Sequence, residues 1–264
     1  MQSFRTEDHV LRLMENQCRL ERHLGRSGRP WEMCVDPSRG MALFEDRETG
    51  RPLLHAEVFL LGSYDETDGT FLWGWADPAR VDSTTRFGYL RKDAEALGLL
   101  RFHYSFPFRV SDDVEAEELI LIAAGYLGCF TYWRQPGRNG CRFLAIARCA
   151  AAEAFPSDSA LRYAAIDRAI HRFRFDHAAG AAACFGAPLR VMENTRLYVV
   201  NDEPLTLMFD RFGRIIHLPR PAPVPAAPTG NGRASEDSSG SFSASASPVP
   251  ARPFPFRFRW PGNR

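Results

Sequence analysis

Two tryptophans in one short segment, with a histidine further along the chain, are the residues best suited to form a ligand-binding or catalytic site. Phe71, Trp73 and Trp75 recur at every second position, so they share one face if the segment is a strand. Indole rings combine an N–H donor with a large apolar body, which suits them to the wall of a cleft. His103 could act there as a general base beside an acid. The sequence places no acid near His103. A strand in the middle of a sheet beneath helices most often buries its large rings, so burial of the rings in a core is the favoured interpretation.

Acidic residues around the same segment could hold a cation, but their spacing favours turn chemistry. Asp65, Asp68 and Asp77 flank the predicted hairpin without the spacing of a calcium-binding loop, and Asp68-Gly69 is a turn dipeptide. We therefore predict no metal site, no cofactor and no catalytic residue. The candidate binding residues are Phe71, Trp73, Trp75, Asp77, His103 and Tyr104.

Other chemical signatures are absent from the sequence. The six cysteines lie far apart without a C-x-x-C pair, which is typical of buried free thiols. His171 and His177 fall on different faces of a predicted helix, and His177 continues its apolar stripe, so we expect it to be buried or half-buried. No serine stands in a G-x-S-x-G motif, and no glycine-rich loop follows a strand as a phosphate site requires.

The composition is that of a globular protein with almost no net charge. Of the 264 residues, 45% are hydrophobic and 25% are charged, and the formal net charge is +1. A nearly neutral chain gives no electrostatic reason to expect nucleic acid as the partner of the body. The first residues lack the apolar region of a signal peptide, and the longest apolar run is too short for a membrane span. We therefore expect a bacterial, cytoplasmic protein.

Hydrophobic periodicity predicts an α+β fold, a bent antiparallel sheet with helices packed on one face. The first four strands form an antiparallel meander, and Gly74 faces away from the tryptophans, where a missing side chain indicates a bulge or a close approach. Helices are predicted at 6–24, from Asp82 or Ser83 to 97, at 112–127 and from 157 to about 186. Strands are predicted at 31–35, 41–45, 53–61, 70–76, 101–110, 129–133, 141–147, 189–192, 197–200, 205–209 and 214–218.

The chain changes character after Leu218. We predict an α+β domain over residues 1–218, with a possible sub-boundary near 150–157, and a disordered tail rich in proline, serine, glycine and arginine over 219–264. Six arginines against Glu236 and Asp237 give the tail a net charge of +4 and leave the body at −3. The tail ends in alternating rings and arginines, at Phe254, Phe256, Arg257, Phe258, Arg259 and Trp260. Such a segment could add to a sheet edge, stack on nucleic-acid bases or contact an anionic membrane, and an unconstrained extension is equally compatible.

The aromatic segment carries a family resemblance. The stretch L-G-S-x-D-x-x-D-G-T-F-L-W-G-W-A-D-P, residues 61–78, resembles the hallmark of a bacterial family of uncharacterised domains, a strand that ends W-x-W-A-N-P. Asp77 stands where that family usually has asparagine. The resemblance spans roughly residues 3–218 and implies the fold and a bacterial source without implying a mechanism.

The function expected from these observations is non-catalytic binding inside the cell. An immunity or accessory factor that caps a partner protein fits the absence of a catalytic constellation and the acidic body. A small-molecule hydrolase or transferase, with a cleft lined by the Trp73/Trp75 strand, is the enzyme alternative. A tail-mediated adaptor for membrane or nucleic acid is the third possible function.

Overall fold

The computed structural model describes residues 3–26, 28–36, 39–77 and 84–218. Within these residues the chain is an α+β protein with a curled antiparallel sheet, which confirms the predicted fold class. The tail at 219–264, its aromatic and arginine residues, and the proposed helix caps Asp82 and Ser83 lie outside the described residues. None of the described helices is both long and apolar enough to cross a membrane.

Six α-helices and two sheets make up the described part of the chain. The helices are α1 (Val10–Gly25), α2 (Thr84–Ala96), α3 (Asp113–Tyr126), α4 (Ala150–Glu153), α5 (Ser159–Arg172) and α6 (His177–Phe185). The first sheet contains β1 (Trp31–Asp36), β2 (Met41–Asp46), β3 (Pro52–Asp65), β4 (Thr70–Trp73), β5 (Phe108–Arg109), β6 (Thr131–Gly137) and β7 (Gly140–Arg148). The second contains β8 (Arg190–Met192), β9 (Thr195–Val200), β10 (Glu203–Phe209) and β11 (Ile215–His217).

The long strand β3 organises the first sheet. Glu57 pairs with Met41 of β2 and with Arg148 of β7, so these two neighbours lie on opposite edges of β3. The C-terminal end of β3 pairs with β4 on one edge and β7 on the other. Register shifts interrupt the β3–β7 ladder at two places, and such irregularities bend a strand. The sheet therefore curls until Trp31 of β1 and Trp133 of β6 meet, with ring centroids 5.4 Å apart.

The curled sheet separates two hydrophobic clusters. Phe143 and Ala145 of β7 face the larger cluster, while Leu144 and Ile146 face the smaller one, because successive side chains of a strand point to opposite sides. The larger cluster continues into the second sheet through Tyr198. Both sides of residues 150–157 thus contribute to one buried cluster.

Two predicted helix starts are confirmed by side-chain caps. The Asp112 carboxylate accepts a hydrogen bond from the Glu115 amide at 2.8 Å, and the Asp158 carboxylate accepts one from the Leu161 amide at 2.8 Å. Glu115 in turn accepts the Ser111 amide at 2.6 Å, one residue before the position of a standard capping box. The turn residues are confirmed as well, since Gly69 has φ +66° after Asp68.

The predicted strand at 101–110 is wrong. Residues Leu100–Phe102 form a 3-10 turn, and only Phe108–Arg109 pair as a strand. Pro107 has no amide to donate to a ladder, and the alternating rings reach the core individually rather than as one face. Phe102 and Phe108 are buried, whereas Phe106 is 57% exposed.

Two further boundaries differ from the prediction. The strand expected at 70–76 ends at Trp73, and Gly74–Ala76 form a 3-10 turn. The long helix expected from 157 to 186 is two helices, because Phe173 adopts an extended conformation with its ring buried. Asp176 then caps α6 by accepting the Ala179 amide at 2.9 Å.

Candidate binding site

The tryptophans singled out in the sequence lie in the core. Trp73 is 0% and Trp75 7% exposed, and their rings stack with centroids 4.5 Å apart at 12°. The Trp73 indole N–H donates to the Arg101 carbonyl at 2.7 Å, and Phe71 is fully buried beside it. The favoured interpretation of these rings as core is confirmed. They offer no solvent-facing wall for a cleft.

The other candidates near this segment are not gathered around the indoles. Asp77 is half-buried just after the 3-10 turn, and Tyr104 stacks on Phe106 with centroids 4.8 Å apart. His103 is half-buried, and its Nδ1 has no hydrogen-bond partner among the described residues. The acid that a general base would need beside it is therefore not among the contacts that the structure describes.

The remaining predicted polar residues have structural roles. The Asp65 and Asp68 carboxylates accept the amides of Thr67 and Thr70 at 2.8 and 3.0 Å, which confirms turn chemistry. His177 is half-buried, as expected, and its Nδ1 accepts the Ile215 amide at 2.9 Å.

A buried carboxylate ties α3 to α5 and β6. Glu117 accepts the Tyr132 hydroxyl at 2.8 Å on one oxygen and the Arg172 guanidinium at 3.0 and 2.6 Å on the other. Burial raises the pKa of Tyr132 well above its usual range, and the charge of Glu117 adds to the effect, so the phenol stays protonated and donates. Arg172 also donates to Asp113 at 2.9 Å. Both Glu117 oxygens have donors, which is the arrangement of a structural brace.

The outer side of the β1–β2–β3 meander carries a surface with a different chemistry. Cross-strand register places Glu32 opposite Glu45, Cys34 opposite Leu43 and Asp36 opposite Met41. On β3 the row continues with His55 beside Leu43 and Glu57 beside Met41. These side chains are half-buried, except for His55, which is exposed. We call the surface formed by Glu32, Cys34, Asp36, Met41, Leu43, Glu45, His55 and Glu57 the acidic face.

A groove of about 550 Å³ crosses the acidic face. Its lining includes Met41 and Leu43 together with Cys34, Asp36 and His55. Asp36 pairs with Arg39 at 3.6 Å at one end of the groove. An apolar floor between carboxylates suits a ligand that has both apolar and cationic groups.

Three groups on the acidic face could hold a metal ion. Donor atoms of Glu32, Cys34 and Glu45 all lie within 4.8 Å of one another. A thiolate with two carboxylates is a donor set that a divalent cation such as zinc can use. The six cysteines carry no disulfide, as predicted, and burial raises the pKa of Cys18 and Cys141 to about 11, whereas Cys34 is half-buried at the surface.

A second pocket lies where β1 approaches β6. It has a volume of about 370 Å³. Its lining combines two indole rings with charged and small residues: Trp31, Trp133, Glu21, Arg29, Arg134, Gly25, Gly28 and Pro136. Trp31 and Trp133 meet edge to face, and both are half-buried. We call this cavity the indole pocket. It opens on the side of β1 opposite to the acidic face, because Trp31 and Glu32 are consecutive in a strand.

Comparison with known proteins assigns the family and no activity. The family of unknown function DUF6882 matches residues 5–149, more than half of the chain. The chain belongs to the DUF6882 family. This bears out the expected resemblance of the chain to a family of uncharacterised domains. No curated protein and no solved structure matches the chain.

The DUF6882 match includes β1, β2 and β3 and therefore the whole acidic face. Sequence reasoning did not find this site. The pattern Trp31-Glu32-Met33-Cys34-Val35-Asp36 alternates apolar and polar residues, which indicates one outward polar face. The pairing of Glu32 with Glu45 depends on the register of β1 against β2, which the pattern alone does not specify.

Proposed function

We propose that this protein is a non-catalytic binding protein that takes a basic, extended segment of a partner protein along β1 and across the acidic face. The observation that carries the proposal is the pair of carboxylates at Glu32 and Glu45, which face each other across two strands. The function is an accessory or immunity role, in which the partner's basic strand is covered.

The carboxylate pair favours a cationic ligand. Like charges directly opposite each other destabilise a pair of strands, by about 1 kcal/mol or more for donor oxygens within 4.8 Å. Among the described residues, neither Glu32 nor Glu45 has an arginine in salt-bridge distance. A guanidinium group bound between them relieves the repulsion and presents planar donors that match carboxylate oxygens.

The position of β1 favours an extended ligand. In the described sheet β1 is an edge strand that pairs only with β2. Every second residue of an edge strand directs its backbone N–H and C=O away from the sheet, where an added strand can pair with them. The carboxylates of Glu32 and Asp36 disfavour pairing with a second copy of β1 and favour a strand with basic residues at alternate positions.

A peptide-binding experiment tests the proposal. The probe is a fluorescent peptide of alternating arginine and valine, compared with its glutamate-and-valine counterpart and with a version that groups the arginines at one end. Anisotropy is measured with the full chain in the presence of a chelator, so that no metal ion competes at Cys34. We expect the alternating basic peptide to bind most tightly, with an affinity that falls as salt is added.

Matched variants locate the site. Glu32→Gln with Glu45→Gln should weaken binding by about tenfold or more, which corresponds to about 1.4 kcal/mol. Glu95→Gln with Glu193→Gln removes the same charge from exposed positions on α2 and beside β8, and should leave binding unchanged. Equal affinity for the acidic and basic peptides, or an equal effect of both variant pairs, contradicts the proposal.

A further inference from the structure

We propose that this protein forms a two-fold symmetric dimer through the outward side of its second sheet, with the same side of a second copy packed against it. The inference goes beyond the proposed function. The surface lies in β8, β9 and β10, apart from the acidic face and outside the residues that match DUF6882.

The second sheet has one side in the core and one side that faces outward. Tyr198 of β9 and Leu205 and Leu207 of β10 are fully buried, and the Tyr198 ring lies 5.8 Å from that of Phe185 in α6. The helices therefore pack on this side. Because successive residues of a strand point to opposite sides, the residues between them form the outward side. We call the surface that the cross-strand register assigns to Met192, Thr195, Leu197, Val199, Pro204 and Met208 the outer sheet face.

The composition of the outer sheet face is that of a buried surface. Five of its six residues are apolar, and the sixth is a threonine. An antiparallel sheet with one side in solvent normally alternates apolar and polar residues, whereas in β9 the outward positions hold Leu197 and Val199. Met192 is nevertheless 46% and Val199 48% exposed. An apolar surface that the described residues leave open in this way indicates an interaction surface.

The distribution of charge favours a second copy as the occupant. Among the described pairs of strand residues, the register places no carboxylate and no lysine on the outer sheet face. Arg190, the arginine beside this face, lies on the edge strand β8 opposite Leu197. Two copies that meet around a two-fold axis therefore bring no like charges together at the centre of the contact. A partner with a charged surface would bury its charges there without counter-charges.

The outward side of the sheet is large enough for a weak dimer. β9 and β10 pair over six residues and the sheet has four strands, so this side measures roughly 20 Å by 20 Å. Covering it removes roughly 500 Å² of accessible surface from each copy, or about 1,000 Å² in total, which is the lower limit for a specific interface. Sheets that pack face to face lie about 10 Å apart with interdigitating side chains. We therefore expect a dissociation constant in the micromolar range.

Sedimentation velocity of the full chain tests the inference. With the protein at about 1 to 200 μM, the weight-average mass should rise from that of one chain to that of two. A chain that stays monomeric over this range overturns the inference, whatever else covers the outer sheet face. Association that continues beyond the dimer indicates a head-to-tail contact, which overturns the two-fold arrangement.

Matched variants locate the interface. Met192→Glu with Val199→Glu places charges at exposed positions of the outer sheet face and should raise the dissociation constant by about a hundredfold. The control, Tyr89→Glu with Leu100→Glu, makes the same change at exposed apolar residues of α2 and of the 3-10 turn that follows it. The control should dimerise like the parent chain. Circular dichroism checks that both variants are folded.

A milder pair of substitutions keeps the test decisive if the glutamate variant does not fold. Met192→Gln with Val199→Thr preserves side-chain size and should weaken the dimer by about tenfold. The same dissociation constant for this pair, the control and the parent chain overturns the inference. None of these residues belongs to the acidic face, so the binding of the basic peptide reports on the proposed function separately, and either proposal can fail without the other.

Discussion

The substitution Gly74→Ala tests the close approach on which the aromatic core depends. A Cβ atom at Gly74 would lie 2.1 Å from the Leu60 carbonyl oxygen, 2.8 Å from the Leu60 carbonyl carbon and 3.2 Å from the Leu61 oxygen. All three atoms belong to the backbone of β3, so none can rotate away as a side chain could. Either β3 or the 3-10 turn must move by about 1 Å to reach ordinary contact distance.

The displacement should be costly because the turn positions Trp75. Its ring stacks on Trp73 at 4.5 Å and contacts Phe87 at 4.7 Å, so a shift of the turn loosens both contacts. Overpacking of a well-packed core costs about 1–3 kcal/mol, and more where backbone atoms are involved. We expect Gly74→Ala to lower the free energy of unfolding by about 3 kcal/mol. For a domain of this size that corresponds to a fall in Tm of roughly 6–12 °C.

Gly88→Ala is the matched control for this substitution. Gly88 is an exposed residue of α2, and a Cβ there has nothing within 4 Å. Alanine is the better helix former, so this change should raise stability by up to about 1 kcal/mol. Urea and thermal unfolding followed by circular dichroism give both values, and tryptophan fluorescence reports the stacked pair. A Gly74→Ala protein that unfolds together with the parent chain refutes the described spacing between β3 and the turn.

Four other substitutions have clear expected outcomes. Partial burial lowers the pKa of His177, so the unfolded chain takes up its proton at higher pH than the folded chain. The contribution of His177 to the free energy of unfolding should be fully present above a pH of about 6.5 and should be lost as the pH falls below that value. In a plot of the urea midpoint against pH, His177→Gln should therefore flatten the decline below a pH of about 6.5. Glu117→Gln should lower the free energy of unfolding by about 2 kcal/mol, because the buried carboxylate that pairs with half-buried Arg172 loses its charge, and Tyr132→Phe should lower it by about 1 kcal/mol. Cys34 should react first with a thiol reagent in the native protein, and Cys34→Ser should remove the fast phase of a dithionitrobenzoate assay.

Local signals in the sequence predicted most of the elements. Helix caps at Asp112 and Asp158 and the Asp68-Gly69 turn are short-range features, because each depends on a few neighbouring residues. The alternation of rings over 102–108 misled the prediction, since four aromatic residues at period two resemble a strand whether or not a ladder forms. The break at Phe173 was missed for a related reason. Its ring continues the helical stripe, and only tertiary packing reveals that the backbone is extended there.

The acidic face was beyond the reach of sequence reasoning because it depends on pairing between strands. Glu32 and Glu45 are ordinary solvent-facing acids in their own strands, and they become a carboxylate pair only in the observed register. The position of β1 at an edge is likewise a consequence of topology. β3 takes β2, β4 and β7 as neighbours, and β1 is left with β2 alone.

The aromatic segment and the acidic face therefore lie in different parts of the same sheet for a physical reason. Trp73 is 0% exposed, and its indole N–H donates to a backbone carbonyl. It therefore has neither surface nor donor left for a ligand. Trp31 and Trp133 are half-buried at the place where the curled sheet fails to close, so their rings can still gain contacts. The aromatic segment instead packs against β3, where Gly74 closely approaches the backbone of Leu60. In the described sheet β1 pairs with β2 alone, so it keeps an outward edge between a side with Glu32 and Asp36 and a side with Trp31, and this is the edge at which we propose that a basic segment binds.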